Sequence, residues 1–112
     1  MSEAPTPFVS MCVDLLGEAI GRVAARAMFG GWGVYREGRM FGLIAEDALY
    51  LKADDKNRPL FEAEGLGPFV YEGKGKPVSM SYYEVTPAAI AATAEMRTWA
   101  LSAYNATLRV EN

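Results

Sequence analysis

A chain of 112 residues, 51% hydrophobic and 22% charged, has the size and balance of one soluble globular domain, so neither global disorder nor a core that depends on disulfides or metal is expected. Eleven Lys and Arg against 14 Asp and Glu leave a net charge of −3, which gives no reason to expect a sheath for duplex DNA. There is no histidine, which removes Ser-His and Cys-His nucleophile pairs, histidine bases and most imidazole metal sites, and the single cysteine, Cys12, removes an intramolecular disulfide or a thiolate cage.

Thr6 and Pro7 form a helix start, a capping oxygen followed by a proline whose missing N–H costs nothing in the first turn. Phe8, Met11, Cys12, Leu15, Leu16 and Ala19 then recur at three- and four-residue spacing, predicting an amphipathic helix that ends near Gly21. Cys12 falls on the apolar stripe and is expected to be a buried, inert thiol. From Arg22 to Ala53 short apolar runs are broken at Gly30-Gly31, Glu37-Gly38 and Glu46-Asp47, the pattern of an antiparallel meander with strands at 23–29, 33–36, 39–45 and 48–53. Leu49 and Leu51 alternate with Tyr50 and Lys52, so one sheet face is covered and the other meets solvent or a partner.

Asp54 or Asp55 is positioned to cap a short helix through Leu60 and Phe61 to Gly65, with Pro59 in its first turn. Two further strands, 69–72 and 78–85, flank the tip Gly73-Lys74-Gly75-Lys76-Pro77. Thr86-Pro87 repeats the cap-plus-proline start, and Thr93 reads as a second cap that divides the C-terminal helix. In its longer part Met96, Trp99, Ala100 and Ala103 form one stripe and Leu101, Tyr104 and Leu108 another. The second stripe is a predicted partner interface, with a homodimer its simplest occupant, the rival reading being that the N-terminal helix covers it within the same chain. The order α-β-β-β-β-α-β-β-α predicts an α+β two-layer sandwich, an antiparallel sheet of five to six strands with flanking helices. One domain spans 8–108, with tails at 1–7 and 109–112. No apolar run approaches a membrane span, and Met1 to Thr6 lacks the basic-then-apolar texture of a signal peptide, so a cytoplasmic protein without membrane contact is expected.

Chemistry is sparse. Gly30, Gly31, Trp32 and Gly33 make a glycine cluster that, with Arg26 and Lys52, forms the candidate small-ligand or anion site. A strand rather than a helix follows it, which favours a turn in which Gly31 or Gly33 takes a positive φ. Arg22, Arg26, Arg36, Arg39, Lys52, Lys74 and Lys76 interleave with Trp32, Tyr50 and Tyr83. Glu37, Glu46, Asp47, Glu72 and Glu84 lie among them and favour a solvated mixed-charge face over direct nucleic-acid binding. Glu62 and Glu64 sit two apart on a helix and diverge. No catalytic constellation, metal site or cofactor motif emerges.

The segments Arg26-Ala27-Met28-Phe29-Gly30-Gly31-Trp32-Gly33-Val34-Tyr35, Gly38-Arg39-Met40-Phe41-Gly42-Leu43-Ile44-Ala45 and Leu49-Tyr50-Leu51-Lys52-Ala53-Asp54, followed by Phe69-Val70-Tyr71-Glu72, Gly75-Lys76-Pro77-Val78 and Met80-Ser81-Tyr82-Tyr83-Glu84-Val85, resemble the N-terminal domain of the TfoX/Sxy family. Asn57, Phe61 and Gly65 fit the intervening helix, and the resemblance runs from Phe8 to about Ala106. It implies a bacterial antiparallel-sheet domain from competence regulators that act as transcription coactivators through a partner regulator rather than as enzymes. It also implies that this chain corresponds to the N-terminal domain without the family's C-terminal helical domain. The expected function is therefore a non-enzymatic regulatory and protein-interaction domain. Its expected partner is a transcription regulator or an RNA polymerase component. The alternative is the small-ligand or anion-binding domain.

Overall fold

The computed structural model describes residues 6–28, 31–72, 75 and 77–110. Helix α1 (Pro7–Ile20) opens on Thr6, whose hydroxyl accepts from the Val9 N–H at 3.2 Å, and closes at Gly21, where φ is +99°. Four strands follow as a meander: β1 (Ala24–Met28), β2 (Gly31–Arg36), β3 (Arg39–Ala45) and β4 (Ala48–Lys52). Next come α2 (Arg58–Ala63), β5 (Pro68–Glu72), β6 (Pro77–Glu84), α3 (Pro87–Ala91) and α4 (Thr93–Val110). The six strands form one antiparallel sheet in the order β1-β2-β3-β4-β6-β5. The expected two-layer α+β architecture is the observed one.

Both tight turns of the meander are as expected from their dipeptides. Arg36 pairs with Arg39 across Glu37 and Gly38, at φ +51° and +80°, and Ala45 pairs with Ala48 across Glu46 and Asp47, at +52° and +60°. Positive φ at both central residues gives the backbone twist that two-residue hairpins need. The first connection differs from expectation. Met28 pairs with Gly31, so Gly31, expected in the break, is already strand; Phe29 and Gly30 lie outside the described residues.

The core lies between the sheet and the helices. Val34, Phe41, Ile44, Leu49 and Leu51 meet Cys12 and Leu16 of α1, Phe61 of α2, and Met96, Ala100 and Ala103 of α4. The register changes between Val34 and Tyr35, so that Met40 and Gly42 oppose consecutive β2 residues and Phe41 is an extra residue on β3. This bulge sends the Phe41 ring into the helix layer, where it meets Tyr104 edge-on at 6.1 Å. On α1 the buried line is Val9, Cys12, Leu16, Ala19 and Ile20, while Met11, expected on the apolar stripe, is 44% exposed. Burial follows the arc that faces α4, and Met11 lies beyond its edge.

The C-terminal helix is divided where expected, at Ala92, which is extended (φ −129°, ψ 123°), and Thr86 caps the first part by accepting from the Ala89 N–H. Thr93 does not cap the second part; its hydroxyl donates to Glu18 of α1 at 3.3 Å. Arg97 Nε donates to the Ala19 carbonyl at 2.9 Å, so the end of α1 is fastened to the start of α4. At 18 residues α4 runs to Val110, two residues past the boundary expected at 108.

Asp54 does not cap α2 either. Its Oδ1 accepts from the Lys56 and Asn57 N–H groups of the preceding turn, and its carboxylate takes a two-pronged contact from Arg109, at 2.6 Å from Nε and 2.8 Å from Nη2. Asp55 is exposed and paired with Arg58. Asn57 is 4% exposed, accepts from the Asp54 N–H at 2.7 Å, and donates to the carbonyls of Lys52 at 2.9 Å and Ser102 at 3.2 Å. Together these residues tie the end of β4 to the C-terminal half of α4. The Arg109 guanidinium, with the two backbone N–H groups, holds the Asp54 carboxyl well below its ordinary value of 3.8.

A carboxyl with a depressed folded-state pKa stabilises the fold fully above its unfolded value; the contribution shrinks as pH falls below that value and is gone only below the folded one. Asp54→Asn keeps an acceptor for the turn and removes the charge. It is expected to cost about 1–2 kcal/mol at pH 7 and roughly half of that or less at about pH 2. Urea titration at both pH values checks this; an equal deficit at both would show that charge is not what Arg109 reads.

Candidate functional site

The described part of the glycine cluster is strand. Gly31 and Gly33 are β2 residues, and neither has a positive φ; that conformation falls instead to Gly21, Gly38, Gly65 and Gly75. Gly30 lies outside the described residues. Both strand glycines are required by space. A Cβ on Gly31 would sit 2.5 Å from the Ile44 carbonyl oxygen, and one on Gly33 would sit 2.7 Å from Met28 Sδ and 3.0 Å from the Tyr35 ring. Trp32 turns to the other side and packs against the core.

The remaining members of this candidate site are separated. Arg26 is opposite Gly33 in register, but Lys52 lies on β4, two strands beyond β2, with its ammonium 5.3 Å over the Tyr82 ring. The cavity beside Gly31 and Trp32 has about 150 Å³ and is lined by Glu46 and Asp47, the wrong sign for an anion. Glycine-loop phosphate binding thus loses its geometric basis, because the strand backbone of β2 is occupied by ladder pairing.

The sheet face without helices carries Tyr35, Met40, Tyr50, Lys52 and Tyr82. Across it, Tyr82 of β6 reaches past β4 to donate to the Met40 carbonyl of β3 at 3.2 Å. Burial pushes the Tyr82 hydroxyl up to about 12, so it stays protonated as that donor through neutral pH. Tyr50 meets Phe69 of β5 at 5.0 Å between ring centres, and burial together with Glu84 and Glu46 raises its pKa as well.

Two larger concavities were not foreseen from the sequence. A groove of about 380 Å³ runs between α2 and α4, with Leu60, Ala63 and Trp99 as apolar walls and Glu64 and Glu95 beside them. Trp99 is held there by the Phe61 ring at 5.0 Å. A cavity of about 540 Å³ sits at the corner where β1 begins and β2 ends, lined by Arg22, Arg26, Arg36, Tyr35 and Glu37. Of these, only Arg26 belonged to the candidate ligand site.

The expected interface stripe on α4 is divided. Leu101 and Leu108 are each 40% exposed, but Tyr104 is only 7% exposed and packs within the chain, on Phe41 and beneath the Arg36 guanidinium at 4.7 Å. Tyr104 therefore belongs to the fold, because the Phe41 bulge brings an aromatic partner under it. Cys12 is fully buried, and desolvation pushes its thiol up to about 12, which leaves it neutral at pH 7. Among the described residues no group of three or more Cys, Asp and Glu side chains is arranged to hold a metal ion, and no helix is long and apolar enough to cross a membrane.

Residues 14–107 match the family model of the TfoX N-terminal domain. The chain belongs to the TfoX N-terminal domain family. It is also similar to the DNA transformation protein TfoX1 of Aliivibrio fischeri, at 33% identity over 67 residues, which is 60% of this chain. The match spans about a third, 32%, of that protein's length. Most of the TfoX-like segments are fold residues in this structure: Gly42 packs between Val34 and Leu51, and Leu49, Leu51 and Phe61 are fully buried.

The two strand glycines of the TfoX-like segment differ in what would have to move. The obstacle at Gly31 is backbone, whereas at Gly33 it is mainly flexible methionine sulfur. Gly31→Ala is expected to destabilise by about 2 kcal/mol or more and Gly33→Ala by about 1 kcal/mol. Chemical denaturation of both variants checks the order, and a reversed order would remove close approach as the reason for Gly31.

Proposed function

We propose that this chain is a non-enzymatic regulatory domain that acts in the bacterial cytoplasm by docking on a protein of the transcription machinery, either a transcription regulator or an RNA polymerase component. Membership of the TfoX N-terminal domain family and similarity to a DNA transformation protein support the regulatory role. The observation that carries docking is the groove between α2 and α4. Leu60 is 48% exposed there beside the half-buried Trp99, in a concavity of a size that takes an apolar side chain or two. Glu64 and Glu95 beside the groove favour a partner segment in which Lys or Arg flanks the apolar residues.

Cross-linking and mass spectrometry on the tagged protein in its own host tests this reading. A transcription regulator or polymerase subunit cross-linked near α2 and α4, and lost on Leu60→Asp, is the expected result. Capture of such a partner undiminished by Leu60→Asp moves the docking surface elsewhere, and enrichment of metabolic enzymes alone defeats the regulatory reading.

The same reading includes a two-fold dimer. Leu101 and Leu108 are seven residues apart, hence on one side of α4, and a self-complementary patch covers both with its own copy. Light scattering at tens of micromolar is expected to give about twice the 12.2 kDa chain mass, and Leu101→Glu to return it to one. A wild-type mass of one chain ends the dimer proposal.

A further inference from the structure

We propose that the corner cavity formed by Arg22, Arg26 and Arg36 is a binding site for a small phosphorylated molecule of up to mononucleotide size, held by its phosphates. Arg26 and Tyr35 belong to the uncovered face of the sheet, Arg36 reaches toward the helix layer, and Arg22 enters from the segment leading into β1. The hairpin register, with Ala24 opposite Tyr35 and Arg26 opposite Gly33, therefore brings three arginines to the lining of one corner cavity in a chain whose net charge is −3.

Elsewhere the fold pairs its arginines. Arg109 is joined to Asp54, Arg58 to Asp55, and Arg97 to a helix-end carbonyl. Among the described residues no carboxylate lies within salt-bridge distance of Arg22, Arg26 or Arg36; Glu37 lines the cavity but pairs with none of them. A cavity lined by three arginines and one glutamate carries a net positive potential, which a multiply charged anion bound there neutralises.

Two of the three are already held in place. The Arg26 guanidinium lies 5.3 Å from the Tyr35 ring centre and that of Arg36 lies 4.7 Å from Tyr104. Stacking fixes the plane of a guanidinium while leaving its N–H edge free to donate, so less freedom is lost when an oxyanion arrives. The guanidinium fork matches two oxygens of one phosphate, and a diphosphate supplies oxygens and charge for more than one fork where a monocarboxylate does not. At about 540 Å³ the cavity falls within the range of small-molecule sites, and Val23 and Ala24 give it an apolar wall for the rest of the ligand. The site is independent of the α2 and α4 groove and stands without the docking reading.

Amide chemical shifts of the full chain, followed during titration with inorganic pyrophosphate, with ADP and with sodium chloride at matched ionic strength, provide the test. Pyrophosphate and ADP are expected to shift residues 22–26 and 35–38 saturably at submillimolar concentration, and chloride to leave them in place. Arg22 and Arg26 are exposed, so the double variant Arg22→Gln, Arg26→Gln is expected to keep the wild-type spectrum elsewhere and to weaken binding at least about tenfold. Should the double variant fail to fold, Arg22→Gln alone is expected to weaken binding about threefold or more. Shifts that do not saturate, that chloride reproduces, or that survive these substitutions overturn the proposal. So does a single-stranded oligonucleotide that binds this corner and is not displaced by pyrophosphate, since that assigns the arginines to a nucleic-acid backbone.

Discussion

The arrangement of the helix layer depends on the contact of Asp54 and Asn57 with α4. Hydrophobic burial holds α4 against the sheet but is non-directional, and the surface that α4 offers over Ala100, Ala103 and Ala106 is smooth. Small side chains permit close approach without fixing where along its axis the helix stops. Asn57 supplies that stop. Its side-chain amide bonds to the Lys52 and Ser102 carbonyls, and satisfying it requires the end of β4 and one particular turn of α4 to coincide. Arg109 adds a second fastening almost two turns further along, and Arg97 a third at the start of the helix. With α4 so placed, Met96 meets the core, Tyr104 meets Phe41, and Trp99 faces Phe61.

Covering one sheet face only has consequences for the other. The side chains of the uncovered face pack on one another across strands, with Lys52 over Tyr82, Tyr82 bonded to the β3 backbone, and Tyr50 against Phe69. Leu43 is 7% exposed on this side although no helix covers it. Packing across strands substitutes for a second helix layer. It also explains Gly33. Gly33 leaves room for the sulfur atoms of Met28 and Met40 on that face, which a side chain at the same place would displace.

The strands and their turns were legible because alternation and turn dipeptides are local signals, and both positive-φ turns fall on the expected dipeptides. The glycine cluster misled for a physical reason: a glycine needed for φ and one needed for space carry the same letter, and only the neighbouring strand distinguishes them. Tyr104 was placed on an interface because helical periodicity knows nothing of the β3 bulge that turns Phe41 toward it. Asn57 carries the polar composition of a turn, and its burial depends on Ser102, 45 residues later. Arg22, Arg26 and Arg36 stood in the sequence only as members of a mixed-charge set; one precedes β1, one lies on β1 and one on β2, and they line one cavity only through the β1 and β2 register.

Helix α4 borders both concavities. Trp99 forms a wall of the groove shared with α2, and Tyr104, five residues on, supports Arg36 at the arginine corner. Five residues advance a helix by about 7.5 Å and carry the side chain well round its axis, so the two side chains serve different flanks of one rod. An occupant of the groove therefore meets α4 directly, whereas one at the corner meets it only through Arg36 stacked on Tyr104. A rigid helix passes such a displacement on only by moving as a body. That movement is opposed by the bonds to Asp54, Asn57 and the end of α1, which hold α4 at both ends. Of the three, the Asp54 to Arg109 contact joins two opposite charges, so it is the fastening that acid weakens first.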